Sequence, residues 1–332
     1  MAELVAPDDV ALGSPPVKLT MTWDDVLVVM TATPRYPIAV RYQALFFAKP
    51  CAPSSEDYVK VLSDALAHET SILMRHEICY VLGQSGNALA VPILKGIMHD
   101  SSEDEITRHE AAEGLAALDA EGLLDDLSRY GEDDRSSLPL LTDTCMLAID
   151  GLAQKNDARV CGCLDGEKVP GGRFVSRDPA KGDTTATAAD VPALEAMLLD
   201  QSKPLFARYA AMFTLRDLAA SGGLAKALAA DTSSACFRHE ACFVLAQLED
   251  LTTVPALVAK LADPAEHAVV RHEAAIALSA MGDSDEAKPA LEKFLADPDP
   301  LVNESCAAAL CTMAYWHAWE DKEARLRNDD ES

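Results

Sequence analysis

The chain has 332 residues, which is enough for two ordinary domains or for one extended array of repeats. Hydrophobic residues make up 49% of it and aromatic residues only 5%, so the core must be built largely from Ala, Leu and Val, a composition that favours helix. The formal net charge of −26 argues against nucleic acid as a ligand, because binding phosphates requires a basic surface.

Residues 1–20 are predicted to be a loose N-terminal tail. They include Asp8, Asp9 and Pro15-Pro16 but neither a basic stretch nor a long apolar run, so neither a secretory signal nor a membrane span is expected. The nine cysteines of the chain are scattered and odd in number, which favours free thiols in a reducing compartment. We therefore expect a cytoplasmic protein with no membrane partner.

Residues 21–154 are predicted to form the first of two halves, built from four helical repeats. The tripeptide Arg-His-Glu occurs at 75–77 and again 33 residues later at 108–110, and weaker copies lie at 40–42 and 142–145. An amphipathic stretch with a proline near its start precedes several copies, and an apolar run at helical spacing follows. Each period of roughly 33 residues is therefore interpreted as a helix–turn–helix unit.

Residues 155–190 are predicted to be a flexible linker. Apolar periodicity fails there, and the segment is rich in turn-forming residues, as in the run Pro170-Gly171-Gly172. A linker of this kind would allow the two halves to face each other. Residues 325–332, at the other end of the chain, are predicted to be a second loose tail.

Residues 191–324 repeat the pattern of the first half and are predicted to be its counterpart. Arg-His-Glu recurs at 238–240 and 271–273, and each copy lies 163 residues after one in the first half. The nine residues that start at the first histidine match those from the third at six positions, but match those from the second at only three. The predicted fold is all-α: a HEAT-repeat α-solenoid of eight helical hairpins in two pseudo-two-fold related halves.

The four His-Glu dyads are interpreted as metal ligands. Each dyad follows an arginine that we assign to repeat stacking. A single dyad at such a position would be an incidental surface feature without function. Four of the eight histidines of the chain share this one position, however, and each is followed by glutamate. A repeat under structural constraint alone has no reason to keep imidazole there.

Neighbouring repeats would have to share each metal ion. Adjacent helical residues diverge by about 100°, so one dyad cannot easily chelate an ion alone. A histidine from one repeat can meet the His-Glu of the next, which would give two histidines and one carboxylate per half. This is the ligand set of non-haem Fe(II) oxygenases. Zinc hydrolases also use two histidines and a glutamate, so zinc stays open at this point.

At these residues the chain resembles the deoxyhypusine hydroxylase family, a group of eukaryotic HEAT-repeat enzymes with four His-Glu motifs in two halves. The resemblance covers most of Ala39 to Thr312. It implies O2-dependent hydroxylation of the deoxyhypusine side chain on eukaryotic translation initiation factor 5A, which completes hypusine synthesis. The implied catalyst is a peroxo-bridged di-iron centre, with two Fe2+ ions per chain as the cofactor.

Matching positions assign the roles within the dyads. Glu77 and Glu240 would be the catalytic carboxylates that bind the amines of the substrate side chain, since a cation of this kind is held by carboxylates. The implied metal ligands are His76, His109 and Glu110 for one iron, and His239, His272 and Glu273 for the other.

Two further residues are predicted to bind substrate. Gly83 stands where the partner repeat has Ala246, and a missing side chain there would make room for substrate. Glu113 faces the same way as His109 and has Ile276 as its counterpart, so it breaks the symmetry of the halves. The competing interpretations are that Gly83 packs helices and that Glu113 is solvated.

Two alternatives to this enzyme stay open in the sequence. A non-enzymatic HEAT-repeat scaffold that binds proteins would have the same repeats and no metal. A repeat-type lyase acting on a chromophore-bearing protein would also have short repeats of this kind, but its chemistry gives no reason for four dyads.

Overall fold

The computed structural model describes residues 18–32, 35–153, 174, 176–282 and 284–330, without the side chains of Glu132 and 324–330. Every regular element in these ranges is helical, and they contain sixteen α-helices. The first half consists of α1 (Trp23–Thr31), α2 (Ile38–Cys51), α3 (Ser55–Leu66), α4 (Ile72–Gly83), α5 (Ala90–His99), α6 (Glu105–Ala117), α7 (Leu123–Leu127) and α8 (Pro139–Ala153). The second consists of α9 (Val191–Leu199), α10 (Leu205–Asp217), α11 (Ser221–Ala230), α12 (Ala235–Leu248), α13 (Val254–Ala262), α14 (Ala268–Ser279), α15 (Ala287–Phe294) and α16 (Pro300–Asp330).

The helices alternate between two layers, as in other repeat solenoids. The even-numbered helices form the inner layer, in which α4 packs on α6, α6 on α8, α12 on α14 and α14 on α16. The odd-numbered helices form the outer layer, in which α11 packs on both α9 and α13. One continuous core of small and aliphatic side chains lies between the layers. The predicted all-α solenoid of paired helices is confirmed.

Buried arginines fasten the inner helices to the outer ones. The Nε atoms of Arg108, Arg208 and Arg271 each donate a hydrogen bond of 3.0 Å to a carbonyl near the end of the preceding outer helix. Arg75 and Arg238 pair with Glu103 and Glu266, which lie just before the next inner helix. These contacts agree with the repeat-stacking role predicted for the arginine of each tripeptide.

The two halves meet at two equivalent junctions. Helix α16, the last of the second half, packs against α2 and α4 of the first, and α8 packs against α10 and α12. Each junction has a hydrogen bond from a helix-capping serine to a carboxylate: Ser71 Oγ donates to Glu304 Oε2 at 2.5 Å, and Ser234 Oγ donates to Asp143 Oδ2 at 2.6 Å. The inner layer therefore closes on itself, with the four dyad helices facing its centre.

Part of the predicted linker is bound to both halves. We call residues 176–183 the strap. Gln84 of the first half clamps the backbone of Arg177, accepting from its N–H at 3.0 Å and donating to its carbonyl at 3.3 Å. Gln247 of the second half donates to Ser176 Oγ at 3.0 Å, and Arg216 pairs with Asp178 at 2.8 Å. The described part of the linker is thus ordered by tertiary contacts, whereas residues 154–173 and 175 lie outside the described ranges.

The C-terminal end differs from the prediction. Helix α16 continues to Asp330, so residues 325–330 are helical rather than a loose tail. The segment begins with Arg325, Leu326 and Arg327, which extend a helix readily. No helix among the described residues is long and apolar enough to cross a membrane. Residues 1–17, most of the predicted N-terminal tail, are not described.

Candidate metal centre

The four dyads occupy one register position. Helices α4, α6, α12 and α14 each begin with a side-chain cap, provided by Ser71, Asp104, Ser234 and His267. In every case the histidine is the fifth residue after the cap. Because the helices start at equivalent points and pack side by side, all four dyads reach the same depth in the ring, and all eight side chains are buried.

The first half brings two histidines and one glutamate together. His76 Nε2 lies 3.1 Å from Glu110 Oε2, and His109 Nε2 lies 3.8 Å from the same oxygen. One ligand atom of each residue falls within 4.8 Å of the others, which is close enough for all three to bind a single ion. Glu110 is nearer to the histidine of the preceding repeat than to its own neighbour, as expected if neighbouring repeats share an ion.

The second half has a similar but looser arrangement. Glu273 Oε2 lies 3.5 Å from Nε2 of His239 and 3.5 Å from Nε2 of His272. His239 and His272 of this half form a three-residue group with His76 of the other half, with ligand atoms within 4.8 Å of one another. The two candidate sites therefore adjoin at the centre of the ring, where the His76 and His272 ring centroids are 5.0 Å apart.

The buried ring nitrogens have unmet bonding capacity. The Nε2 atoms of all four histidines are buried, and none has a hydrogen-bond partner among the described residues, although His76 Nε2 comes within 3.1 Å of Glu110. Leaving a buried polar atom unpaired costs about 1–3 kcal/mol. Four such atoms converging on shared carboxylates fit a metal-binding role, and imidazole with carboxylate suits either iron or zinc.

The protonation of the histidines also suits metal binding. Burial lowers the pKa of His109, His239 and His272 well below the usual value, and neighbouring histidines lower it further. They are therefore neutral, the form that binds metal. His76 differs: burial lowers its pKa, but Glu110 and Glu77 outweigh burial and raise the pKa to about 10. A metal ion at His76 would have to displace that proton.

A cavity of about 520 Å³ adjoins the dyads. Its floor includes Glu77, Glu240 and Glu113, and burial followed by neighbouring carboxylates raises the pKa of Glu240 and Glu113 well above the usual value. The strap forms one wall. Aromatic side chains line much of the rest, and among them Phe46 and Trp316 are exposed. The cavity thus joins an acidic interior to apolar walls, which suits a long alkylamine.

The structure places the two further predicted residues differently from each other. Glu113 lines the cavity, which is compatible with its predicted role. Gly83 is not among the lining residues, and a Cβ atom there would come within 2.5 Å of Gly114 Cα. Its missing side chain therefore lets α4 and α6 pack closely, and the predicted space for substrate at Gly83 is wrong.

Other features of the site were not predicted from the sequence. The strap wall depends on hydrogen bonds between distant residues, and the aromatic lining combines α2 with α16, at opposite ends of the chain. The hydroxyl groups of Thr144 and Ser305 contact His109 and His272. Their one sequence signal is their place in two weaker copies of the tripeptide, at 142–145 and at the equivalent positions 303–306.

Comparisons with known proteins agree with the geometry. A family model described as HEAT repeats matches residues 37–139 and 223–311. The chain is 39% identical over 289 residues to a deoxyhypusine hydroxylase of Phaeosphaeria nodorum, covering 82% of this chain and 86% of the relative. It is 37% identical to one from Gibberella zeae, covering 87% and 88%. The solved structure of human deoxyhypusine hydroxylase in complex with glycerol superposes with a TM-score of 0.76 at 34% identity, covering 88% of this chain and 96% of that one.

The fold and the site together define a helical-repeat enzyme with a buried histidine–glutamate cluster able to bind metal. At this level of similarity the class can be narrowed: the chain belongs to the deoxyhypusine hydroxylase family and is an oxidoreductase of the monooxygenase type. This membership removes the alternatives of a non-enzymatic scaffold and of a lyase.

Proposed function

We propose that the protein hydroxylates the deoxyhypusine side chain of eukaryotic translation initiation factor 5A, using O2 and a pair of iron ions. The observation that carries the proposal is the convergence of four unpartnered Nε2 atoms on Glu110 and Glu273 beside an acidic cavity. The relatives named deoxyhypusine hydroxylase support the choice of reaction.

The ligands of the two ions would come from separate halves. The bound pair would activate O2, the oxidant, for attack on a C–H bond, which protein side chains alone cannot do. The short distances from Glu110 to His76 and His109 support the first set of ligands, and the distances from Glu273 to His239 and His272 support the second. The first ion is assigned to His76, His109 and Glu110, and the second to His239, His272 and Glu273.

The substrate amines would be held by the remaining carboxylates. Glu77 and Glu240 belong to the dyads but are not assigned to metal, and both line the cavity together with Glu113. An amine cation entering this buried space would stabilise the charged form of each carboxylate that it meets, because opposite charges attract strongly where water is excluded. The apolar walls would contact the methylene groups of the chain and exclude water.

The protein substrate would be attracted by charge. The net charge of −26 suits a partner whose modified residue is cationic. A cytoplasmic location is part of the proposal, and it is supported by the free thiols of all seven cysteines in the described ranges.

The proposal is tested by reconstituting the protein with Fe(II) without oxygen, then adding isotopically labelled O2 and the factor bearing deoxyhypusine. Mass spectrometry should find one labelled oxygen atom on the modified residue. The factor bearing unmodified lysine at that position is the matched control and should gain no oxygen. Oxygen derived from water instead of O2, or no product with the iron-loaded protein, would rule out the proposed reaction.

A further inference from the structure

A hydroxyl group lies against one histidine of each candidate metal site. Thr144 Oγ1 is 3.1 Å from His109 Nδ1, and Ser305 Oγ is 2.8 Å from His272 Nδ1. Both hydroxyl residues and both histidines are buried. The Nδ1 atoms lie on the opposite side of each imidazole ring from the unpartnered Nε2 atoms. Each hydroxyl group therefore contacts its histidine on the side that faces away from the candidate metal site.

Both hydroxyl groups have already used their proton. Thr144 Oγ1 donates to the Leu140 carbonyl at 3.0 Å, and Ser305 Oγ donates to the Leu301 carbonyl at 2.6 Å. A hydroxyl has one proton to donate and two lone pairs that accept. In contact with the histidine, the oxygen must therefore accept, and the donor must be Nδ1–H. A neutral imidazole with its proton on Nδ1 has a free lone pair on Nε2.

The same arrangement occurs in both halves at equivalent positions. Thr144 and Ser305 lie on α8 and α16, the last inner helix of each half, and each is the sixth residue of its helix. Glu110 and Glu273 are likewise the sixth residues of α6 and α14. The last repeat of each half therefore has a hydroxyl where the preceding repeat has a ligand carboxylate. Asp143 and Glu304 replace the histidines and bond across the junctions.

We propose that Thr144 and Ser305 are positioning residues that hold His109 and His272 with the proton on Nδ1, so that each Nε2 lone pair points into its metal site. The inference rests on the proposed metal function of the dyads. Histidines that bind metal through one ring nitrogen commonly donate the other N–H to a fixed acceptor, and losing that acceptor costs about 10- to 100-fold in metal affinity or activity. The last repeats, which lack a dyad, would thus serve the metal sites indirectly.

The first test is the affinity of the intact protein for Co(II), a spectroscopic probe for divalent metal sites, measured without oxygen. Thr144→Val removes the acceptor with little change of volume and should weaken one of the two sites by about 10-fold or more. Ser305→Ala should weaken the other. Thr144→Ser keeps the hydroxyl and should restore the affinity of the wild type, which an effect of packing alone would not do.

Thr142→Val is the matched control. Thr142 is buried on the same helix, and its hydroxyl has no hydrogen-bond partner in the part of the chain that the structure describes. Its replacement should leave both affinities unchanged. Equal losses in Thr142→Val and Thr144→Val, or wild-type affinity in both Thr144→Val and Ser305→Ala, would overturn the proposal.

A second measurement separates this inference from the proposed metal function. Nitrogen-15 chemical shifts of the imidazole rings in the metal-free wild type report which ring nitrogen carries the proton. His109 and His272 should both show Nδ1–H. An Nε2–H tautomer at either would overturn the positioning role even if iron binds, whereas Nδ1–H in a protein that binds no divalent metal would refute the metal function and leave the hydrogen bonds intact.

Discussion

The glutamate and the histidine of one dyad contact different neighbouring side chains although the two residues are adjacent in the chain. Glu110 Oε2 lies 3.1 Å from His76 of the preceding repeat and 3.8 Å from its own His109. Glu77 Oε1 in turn lies 3.7 Å from His272 Nε2 of the opposite half. Because adjacent residues of a helix diverge, one dyad can face both the candidate metal centre and the cavity.

Replacing these two glutamates should separate metal binding from substrate binding. We expect Glu110→Ala to lose one metal ion per chain, because it removes the carboxylate shared by His76 and His109. Glu77→Ala should keep both ions and raise the KM for the protein substrate, since its carboxylate is assigned to the amine. Metal content and steady-state kinetics measure the two effects.

The matched pair Glu273→Ala and Glu240→Ala should repeat this division in the second half. Glu77→Ala tests the division of roles more severely than Glu240→Ala, because Glu77 Oε1 also lies 3.7 Å from His272 Nε2. Equal loss of metal in Glu77→Ala and Glu110→Ala would contradict the division of roles. It would assign Glu77 to the metal cluster instead.

The metal-free protein should lose stability as the pH rises from about 6.5 to 10. The pKa of His76 is raised to about 10, from an unfolded value of about 6.5, so the folded state keeps a proton that the unfolded chain releases in this range. The raised pKa values of Glu240, Glu273 and Glu113 act in the same direction. The histidines with lowered pKa contribute little change above about pH 7.5, because by then they are neutral in the unfolded chain as well as in the folded protein.

Chemical denaturation at several pH values measures this dependence. His76 alone should contribute on the order of 5 kcal/mol to the fall in the free energy of unfolding. His76→Gln, which cannot take up the proton, is the control and should show a shallower decline. A stability that rises with pH across this range in the metal-free wild type would contradict the assigned protonation.

The dyads were visible in the sequence because the repeat shows them four times, and repetition distinguishes a ligand from a surface accident. Thr144 and Ser305 were less visible because hydroxyl residues are common and occur here once per half. Gly83 was misinterpreted for a related reason. The space left by a glycine can be filled by another backbone, and only the position of Gly114 shows that it is.

The strap is the element for which amino-acid composition is the poorest guide to structure. Its composition is typical of a flexible linker, yet Gln84 and Gln247, at equivalent positions of the two halves, hold it across one side of the cavity. Helices could be predicted from local periodicity, because apolar residues recur within one element. The strap could not, since its partners lie 71 and 93 residues away in the chain.

Loosening the strap should impair substrate binding without removing metal. We expect Gln84→Ala to cost about 1 kcal/mol of stability through its lost hydrogen bonds. It should also raise the KM and speed proteolytic cleavage near Arg177. Gln201→Ala, which removes an exposed glutamine bonded to Thr232 and Ala230, is the control. Unchanged KM and cleavage in Gln84→Ala would show that the strap does not enclose the substrate.

The inner helices of the two halves form one closed ring, so the dyads of both halves face a single centre. Each half is a solenoid of four helix pairs, and the reciprocal junctions place the two metal candidates beside each other rather than at opposite ends. The doubling of the sequence predicted the two halves. It did not predict that α16 would meet α2, because contacts between the ends of the chain leave no periodic signal.

The overall charge should make recognition of the protein substrate depend on salt. With a net charge of −26, the enzyme would attract a cationic partner over distances that salt shortens to about 8 Å at physiological ionic strength. Raising the salt concentration should therefore raise the KM for the intact factor several-fold and change kcat little. Association rates measured by stopped flow should fall in parallel, whereas salt-independent association would exclude charge steering.

The proposed di-iron centre is tested most directly by the metal content of the freshly purified protein, measured by elemental analysis together with its visible absorption spectrum. The two adjoining sets of ligands predict two iron ions per chain and a broad visible band from an oxygen-bridged ferric pair. Zinc in place of iron in the active protein, or full activity in a protein that holds no metal, would contradict the di-iron centre on which the proposed function depends.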